Sequence, residues 1–217
     1  MGFVQTVRSR LDSAYVPGET ALPLHRPAGP PVLVPHDPAW ATRAQQHLSM
    51  IRDALTVLLN NPDTVVYEHI GSTAVQGLAA KGVVDLQVRL PALPEPFELD
   101  AALASAGWIP ATGSRPDSPG VYRDLPAPGD EYSQWVWAKR LFTTVDPAPP
   151  AILHVRLLAS PFGLRTVAFR DRLRADPDLR RSYEPLKLDL AATHADAQDY
   201  DDYTRAKTSF IQAASAG

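Results

Sequence analysis

A chain of 217 residues, 45% hydrophobic and 21% charged, falls in the ordinary globular range and is long enough to bury a sizeable core. Its 24 acidic and 21 basic residues give a formal net charge of −3, which excludes a global field attracting nucleic acid. Cysteine is absent, which excludes disulfides, thiolate metal sites and cysteine nucleophiles.

No apolar run reaches the ~18–20 residues of a membrane span. The expectation is a soluble cytoplasmic protein with no membrane partner. Charge is unevenly placed, since Lys139 to Lys187 holds ten Lys or Arg against five Asp or Glu. That stretch suits either an anionic ligand or solvated helix faces.

Residues 1–31 carry no period but many breakers, including Pro17, Gly18, Pro23, Pro27, Pro30 and Pro31. They predict a flexible Pro-rich arm ahead of a single domain over 32–217. Val32-Leu33-Val34 reads as a short strand. Asp37 as N-cap and Pro38 at the first helical position then announce a helix. Ala44, Leu48, Ile51, Leu55 and Leu58 give that helix a buried stripe. Asn60-Asn61-Pro62-Asp63 ends it, and Val65 to Ile70 is the next strand.

Gly71-Ser72 then forms a turn that opens a short helix ending at Lys81. In the strand Val83–Leu90, Asp85, Gln87 and Arg89 share one face while Val84, Leu86, Val88 and Leu90 share the other. Leu99 to Ala106 reads as a helix closed by Gly107, and Trp108-Ile109 as a strand. Thr112 to Gly120 is a polar loop of the kind that borders sites. Val121-Tyr122-Arg123 and Gln134–Val145 suggest a hairpin around the Pro126–Asp130 turn. In the last strand, Ile152–Leu158, Leu153, Val155 and Leu157 face one way and His154 and Arg156 the other. Helices follow over Leu164–Arg174, from Pro177 to about Ala192, and over Tyr200–Ala214. The order implies a mixed α/β (α+β) fold, a hairpin-containing sheet with helices packed against it and C-terminal helices.

A Gly-Ser turn opening a helix offers backbone N–H groups to an anion. With Asp85 facing it, the expected site is a cleft for a nucleotide or phosphorylated small molecule, built from Gly71, Ser72 and Thr73. Asp85 is the candidate ligand of a Mg²⁺ ion, which binds through one or two carboxylates plus phosphate oxygens. The bland alternative is a carboxylate on a solvated strand face. His154 is read as a metal ligand or proton carrier, and Arg156, Arg140 and Lys81 as phosphate contacts. His69 reads as hydrogen-bonding the turn, and Glu68 as a structural ion-pair partner. Asp171 falls on the apolar face of its helix and needs a partner such as Arg174, or it orients an arginine such as Arg170 at the site. Tyr183 and Lys187 read as base-stacking and phosphate contacts or, more simply, as surface residues.

Glu68-His69-Ile70-Gly71-Ser72-Thr73-Ala74-Val75, followed by Gly77-Leu78-Ala79-Ala80-Lys81 and Val84-Asp85, resembles the signature of the GrpB-like family. Supporting blocks recur in order: Val34 to Trp40, Leu153 to Arg156, Phe169 to Arg174, Tyr183 with Leu186-Lys187, and Tyr203 with Lys207 and Phe210-Ile211. The resemblance runs from about Val32 to Gln212, with Gln76 and Gly82 standing where the family usually shows prolines. It implies a nucleotidyltransferase fold of the DNA polymerase beta superfamily, and similar domains are fused to dephospho-coenzyme A kinase in some bacteria. Active transferases of that superfamily use Asp-x-Asp and a third carboxylate to hold two metals. Here Gln87 takes the second position, and the later strand offers His154. Two expectations follow from the resemblance. One is nucleotidyl transfer carried by Asp85 and His154, with Gln87 supporting. The other is a catalytically inactive module that binds a nucleotide or phosphate and acts as a regulator or folding partner.

Overall fold

Five strands form one mixed sheet in the order β1-β2-β5-β4-β3. They are β1 (Val66–Ile70), β2 (Val84–Leu90), β3 (Trp108–Pro110), β4 (Lys139–Thr144) and β5 (Ala151–Leu157). The computed structural model describes residues 29–59, 61–112, 120–145 and 149–215. Nearly all of the expected arm over 1–31 and most of the Thr112–Gly120 loop lie outside the described residues. The central pair, β2 and β5, runs parallel from Val84↔Ala151 to Leu90↔Leu157, while the other neighbours pair antiparallel.

Alternation along β2 and β5 splits the sheet into two unlike faces. On one face Val84, Leu86, Val88 and Leu90 of β2 and Ala151, Leu153 and Val155 of β5 are fully buried. Helix α1 (Ala39–Thr56) covers them with Trp40, Ala44, Ile51 and Leu55, and α2 (Pro96–Ala104) adds Leu99 and Leu103. Asp37 anchors the start of α1 by accepting the Ala39 N–H at 2.9 Å and an Arg43 hydrogen bond at 2.9 Å.

The opposite face carries Asp85, Gln87 and Arg89 of β2, His154 and Arg156 of β5, and Lys139, Leu141 and Thr143 of β4. Four further helices lie on this side in sequence: α3 (Pro161–Ala175), α4 (Pro177–Thr193), α5 (Asp201–Ala206) and α6 (Thr208–Ser215). Helices α3, α4 and α6 share a second core, in which Phe169, Leu173 and Tyr183 pack with Val75 and Leu78 from the segment after Gly71. The Tyr183 ring stacks on Phe210 at 5.1 Å and meets Phe169 edge-on at 5.2 Å. Among the described residues no helix is long and apolar enough to cross a membrane.

Local structure departs from the sequence expectation at several places, among them the expected helix over Tyr200–Ala214, which is broken at Lys207 into α5 and α6. The expected helix after Gly71 is a single 3₁₀ turn over Ser72–Ala74, because Val75 and Leu78 leave the helical path to enter the second core. Val34 contributes one bridge, to Ala80, and Arg123 one bridge, to Ala138, instead of strands. Gln134–Trp137 is a 3₁₀ turn that buries Val136 and Trp137, so β4 begins only at Lys139.

Candidate functional site

A buried ionic lattice lies on the polar face of β2 and β5. Arg156, 1% exposed, donates from Nε and Nη2 to Asp124 at 2.6 and 3.0 Å, and from Nη1 to Gln87 Oε1 at 2.7 Å. Gln87 in turn donates from Nε2 to Glu68 at 2.7 Å and to the Gly163 carbonyl at 3.3 Å. Arg89 donates to the same Glu68 from Nε and Nη2, at 3.1 and 3.3 Å. Gly163 lets α3 close over this lattice, since a Cβ there would stand 3.1–3.2 Å from Arg89, Arg156 and Gln87. Burial raises the Asp124 carboxyl, but the charges and hydrogen bonds of Arg156 and Lys139 outweigh it and hold the group below its ordinary value.

Beside the lattice, a cavity of about 220 Å³ opens between the sheet and the C-terminal helices. The chain has four lysines against 17 arginines. All four lysines, Lys81, Lys139, Lys187 and Lys207, line this one cavity. Two are tied down. Lys139 donates to the Gly120 carbonyl and pairs with Asp124 at 3.4 Å, and Lys187 donates to the Ala79 carbonyl and to Ser72 Oγ at 3.3 Å. The other two rest on aromatic faces. Lys81 Nζ is 3.1 Å from the centroid of Tyr200, and Lys207 Nζ is 4.2 Å from that of Tyr203. Neither Lys81 nor Lys207 forms an ion pair among the described residues.

Crowding of ammonium groups away from water weakens their hold on protons. Burial and the neighbouring Lys207 bring Lys81 down to about 7, and burial brings Lys207 to about 8 against the pull of Asp85. Burial and Lys207 likewise lower Lys187 to about 7, and burial lowers Lys139 to about 8 against its pairing with Asp124. Asp85 moves the other way, raised by burial in spite of Lys81, Lys207, Lys139 and Arg156. Its side chain keeps 34% exposure to the cavity, which moderates that rise.

Gly71 sits against the Asp85 carboxylate. Its φ is +70°, and a Cβ there would stand 2.5 Å from Asp85 Oδ2. Across the cavity floor, His154 Nε2 is 3.8 Å from Asp85 Oδ1. Arg156 Nη2 lies 3.4 Å from His154 Nδ1 and can only donate, which places the imidazole proton on Nε2, facing Asp85. Burial, Lys139 and Arg156 keep this imidazole neutral, well below its ordinary value.

Ser72, Thr73, Lys81, Asp85 and His154 thus converge as the sequence suggests, and Gly71 adjoins them. The two described ends of the polar loop, Thr112 and Gly120, also line the cavity. Arg156 is no free phosphate clamp, because Asp124 and Gln87 take up its donors. Arg140 lies on the other face, paired with Val155, where its charge acts on Asp100 of α2. Asp171 is half exposed, with 52% of its side chain accessible, and is not on a buried apolar face. It accepts from Arg170 at 2.8 and 2.9 Å and from Arg174 at 3.3 Å. Those arginines reach the backbone of the turn, Arg170 at the His69 carbonyl and Arg174 at that of Ala74. His69 bonds the Thr73 hydroxyl at 3.0 Å, and burial together with Arg174 and Arg170 lowers it to about 4.

Sequence reading gives no site role to Lys139, Lys207, Tyr200 or Tyr203, although Tyr203 and Lys207 stand in a block of the family resemblance, and it leaves Lys187 between a phosphate contact and a surface residue. The overlooked signal is compositional. Where 17 of 21 basic positions are arginine, each lysine marks a place that needs a compact, adjustable charge.

Asp85, His154 and Asp201 line the cavity, yet no three His, Asp or Glu groups among the described residues come together to hold a metal. Mg²⁺ takes an octahedral oxygen shell through carboxylates, phosphates and water. The two carboxylates of the lining, Asp85 and Asp201, stand among four lysines whose positive charge competes with that of a cation.

The sequence profile of the GrpB protein family matches residues 30–216. The chain belongs to the GrpB family. The crystal structure of GrpB from Enterococcus faecalis has the same fold, with a TM-score of 0.62 at 22% identity over 85% of this chain and 95% of that one. A UPF0157 protein of Deinococcus radiodurans is 31% identical over 185 residues, covering 82% of this chain and 78% of its own. A dephospho-CoA kinase of Mycolicibacterium paratuberculosis is 32% identical over 213 residues, 94% of this chain but 50% of that protein. This GrpB family member therefore spans about half the length of that kinase, and 39% of the one from Mycobacterium bovis.

Proposed function

We propose that the cavity binds a small molecule through its phosphate groups, using lysine ammonium groups in place of a metal. The observation that carries this reading is that every lysine of the chain lines one cavity. The four come from separate parts of the fold: the approach to β2, the start of β4, the middle of α4 and the joint between α5 and α6. Four cations cluster away from water at a cost, and an entering anion reverses that cost. At about 220 Å³ the cavity is smaller than the ~300–1,000 Å³ usual for whole drug-sized ligands. It therefore encloses the phosphoryl end of a nucleotide or a compact phosphorylated metabolite. Ser72 and Thr73 add hydroxyl partners, and Asp85 and His154 Nε2–H supply one acceptor and one donor for the group attached to the phosphate.

Calorimetric titration with phosphate, pyrophosphate, AMP and ATP, each with Mg²⁺ and with chelator, tests the reading. Pyrophosphate is expected to bind equally well in chelator. Lys207→Met should weaken it at least about tenfold, or ~1.4 kcal/mol. No binding by any of the four anions would overturn the proposal, and binding only with Mg²⁺ would return the metal to Asp85. AMP against pyrophosphate separates nucleotide ends from simple phosphates.

A second reading, nucleotidyl transfer, draws support from the placement of Asp85 between the Gly71-Ser72 turn and the lysines, and from relatives named dephospho-CoA kinase. Release of labelled pyrophosphate from a nucleoside triphosphate, abolished by Asp85→Asn, is the result this reading requires.

A further inference from the structure

We propose that Lys81 is an imine-forming residue, whose amine condenses with the carbonyl group of a small phosphorylated aldehyde or ketone held in the same cavity. The inference rests on the phosphate-binding reading and adds the substrate's second functional group.

Geometry separates the four lysines into two kinds. Lys139 and Lys187 are 2% and 0% exposed, and each donates to a main-chain carbonyl, which ties its Nζ to the backbone and away from an entering carbonyl carbon. Lys81 and Lys207 are half-buried and open to the cavity, without an ion pair among the described residues. Of these, Lys81 has the firmer base. Its neighbour Ala80 exchanges two backbone hydrogen bonds with Val34, at 2.8 and 3.0 Å, and the face of Tyr200 fixes its Nζ. Lys207 stands at the joint between α5 and α6.

A lysine nucleophile needs an amine without its proton, and desolvation beside a second cation supplies one. Lys81 meets both conditions, being buried and near Lys207, and its value of about 7 leaves much of it as free amine at neutral pH. Asp85, whose carboxyl is raised by burial, shares the cavity and can pass a proton. The steps balance as a condensation. The Nζ lone pair attacks the carbonyl carbon, and the carbonyl oxygen takes up protons and leaves as water. The nitrogen keeps the carbon as C=N. No oxidant, reductant or metal is consumed.

Pyridoxal 5′-phosphate, a phosphorylated aldehyde, serves as the probe, with borohydride reduction to fix any imine and peptide mass mapping to locate it. The native chain is expected to carry one reduced adduct, on the Lys81 peptide, lost in excess pyrophosphate. The urea-unfolded chain should label all four lysines alike. Pyridoxal without its phosphate should label the native chain far less. Adduct spread over Lys139, Lys187 and Lys207 in the native chain would overturn the proposal, as would no adduct while calorimetry still shows pyrophosphate binding. Failure of pyrophosphate binding itself would remove the underlying site as well, so the two ideas fall separately. Lys81→Arg, checked for folding by its thermal transition, is expected to lose the adduct.

Discussion

Gly71 shows how closely the site depends on a single atom. Its φ of +70° lies in the left-handed region, and Asp85 Oδ2 occupies the place a side chain would take. Gly71→Ala therefore meets two obstacles at once, a strained backbone and a 2.5 Å clash with the carboxylate. Backbone strain of that kind costs about 1–3 kcal/mol. Relief of the clash requires Asp85 to swing away from the turn. Denaturant unfolding is expected to show a loss in that range, and calorimetry an altered pyrophosphate affinity even where the variant is fully folded. A variant with unchanged stability and affinity would show that Gly71 does not hold Asp85 in place. The glycine was legible in the sequence as a turn, but its reason was not. The clash comes from a residue fourteen positions later, brought back by the antiparallel pairing of Ile70 with Asp85.

Elements show where local pattern suffices and where it fails. The two faces of β2 and β5 were readable because alternation is a local property, and the α1 stripe because all five of its apolar positions lie in or against one core. Arg140 was misplaced for the opposite reason. Which face a β4 residue occupies depends on register with β5, and a slip of one residue exchanges the faces. Pairing of Lys139 with Arg156 turns Lys139 toward the cavity and Arg140 away from it. Arg156 was likewise legible as a polar-face residue, but its partner Asp124 lies 32 positions away, just after an expected strand that forms only the Arg123 bridge. That partnership gives a test of the element. Asp124→Ala leaves Arg156 and Lys139, 1% and 2% exposed, with buried positive charge and no carboxylate. Breaking such a pair by removing one partner costs about 3–5 kcal/mol. Equilibrium unfolding should register that loss, and a change below about 1 kcal/mol would mean the lattice is not structural.

For the whole molecule, the lysine cavity couples stability, pH and ligand. Lys81 and Lys187 fall to about 7, and Lys139 and Lys207 to about 8, against an ordinary value of 10.5. Between those values the unfolded chain binds more protons than the folded one. Stability contributed by these groups therefore rises with pH from about 7 toward 10. Above 10, Tyr183, Tyr200 and Tyr203 oppose the trend, because burial pushes their hydroxyls up and the folded chain then holds more protons. At the acid end, His69 at about 4 and His154 well below its ordinary value act in the same sense as the lysines, so stability drops as pH falls from 6.5. Asp85, raised by burial, works weakly against them by losing its contribution as pH rises through its folded value. Scanning calorimetry of the ligand-free protein should therefore show a transition temperature that climbs from about pH 6 to about pH 9. A bound polyphosphate restores protons to the lysines and reverses the cause of that slope. With saturating pyrophosphate, stabilisation is expected to be greatest near pH 6–7 and to fade toward pH 9. Parallel curves with and without the anion would mean that the ligand does not reach the lysines.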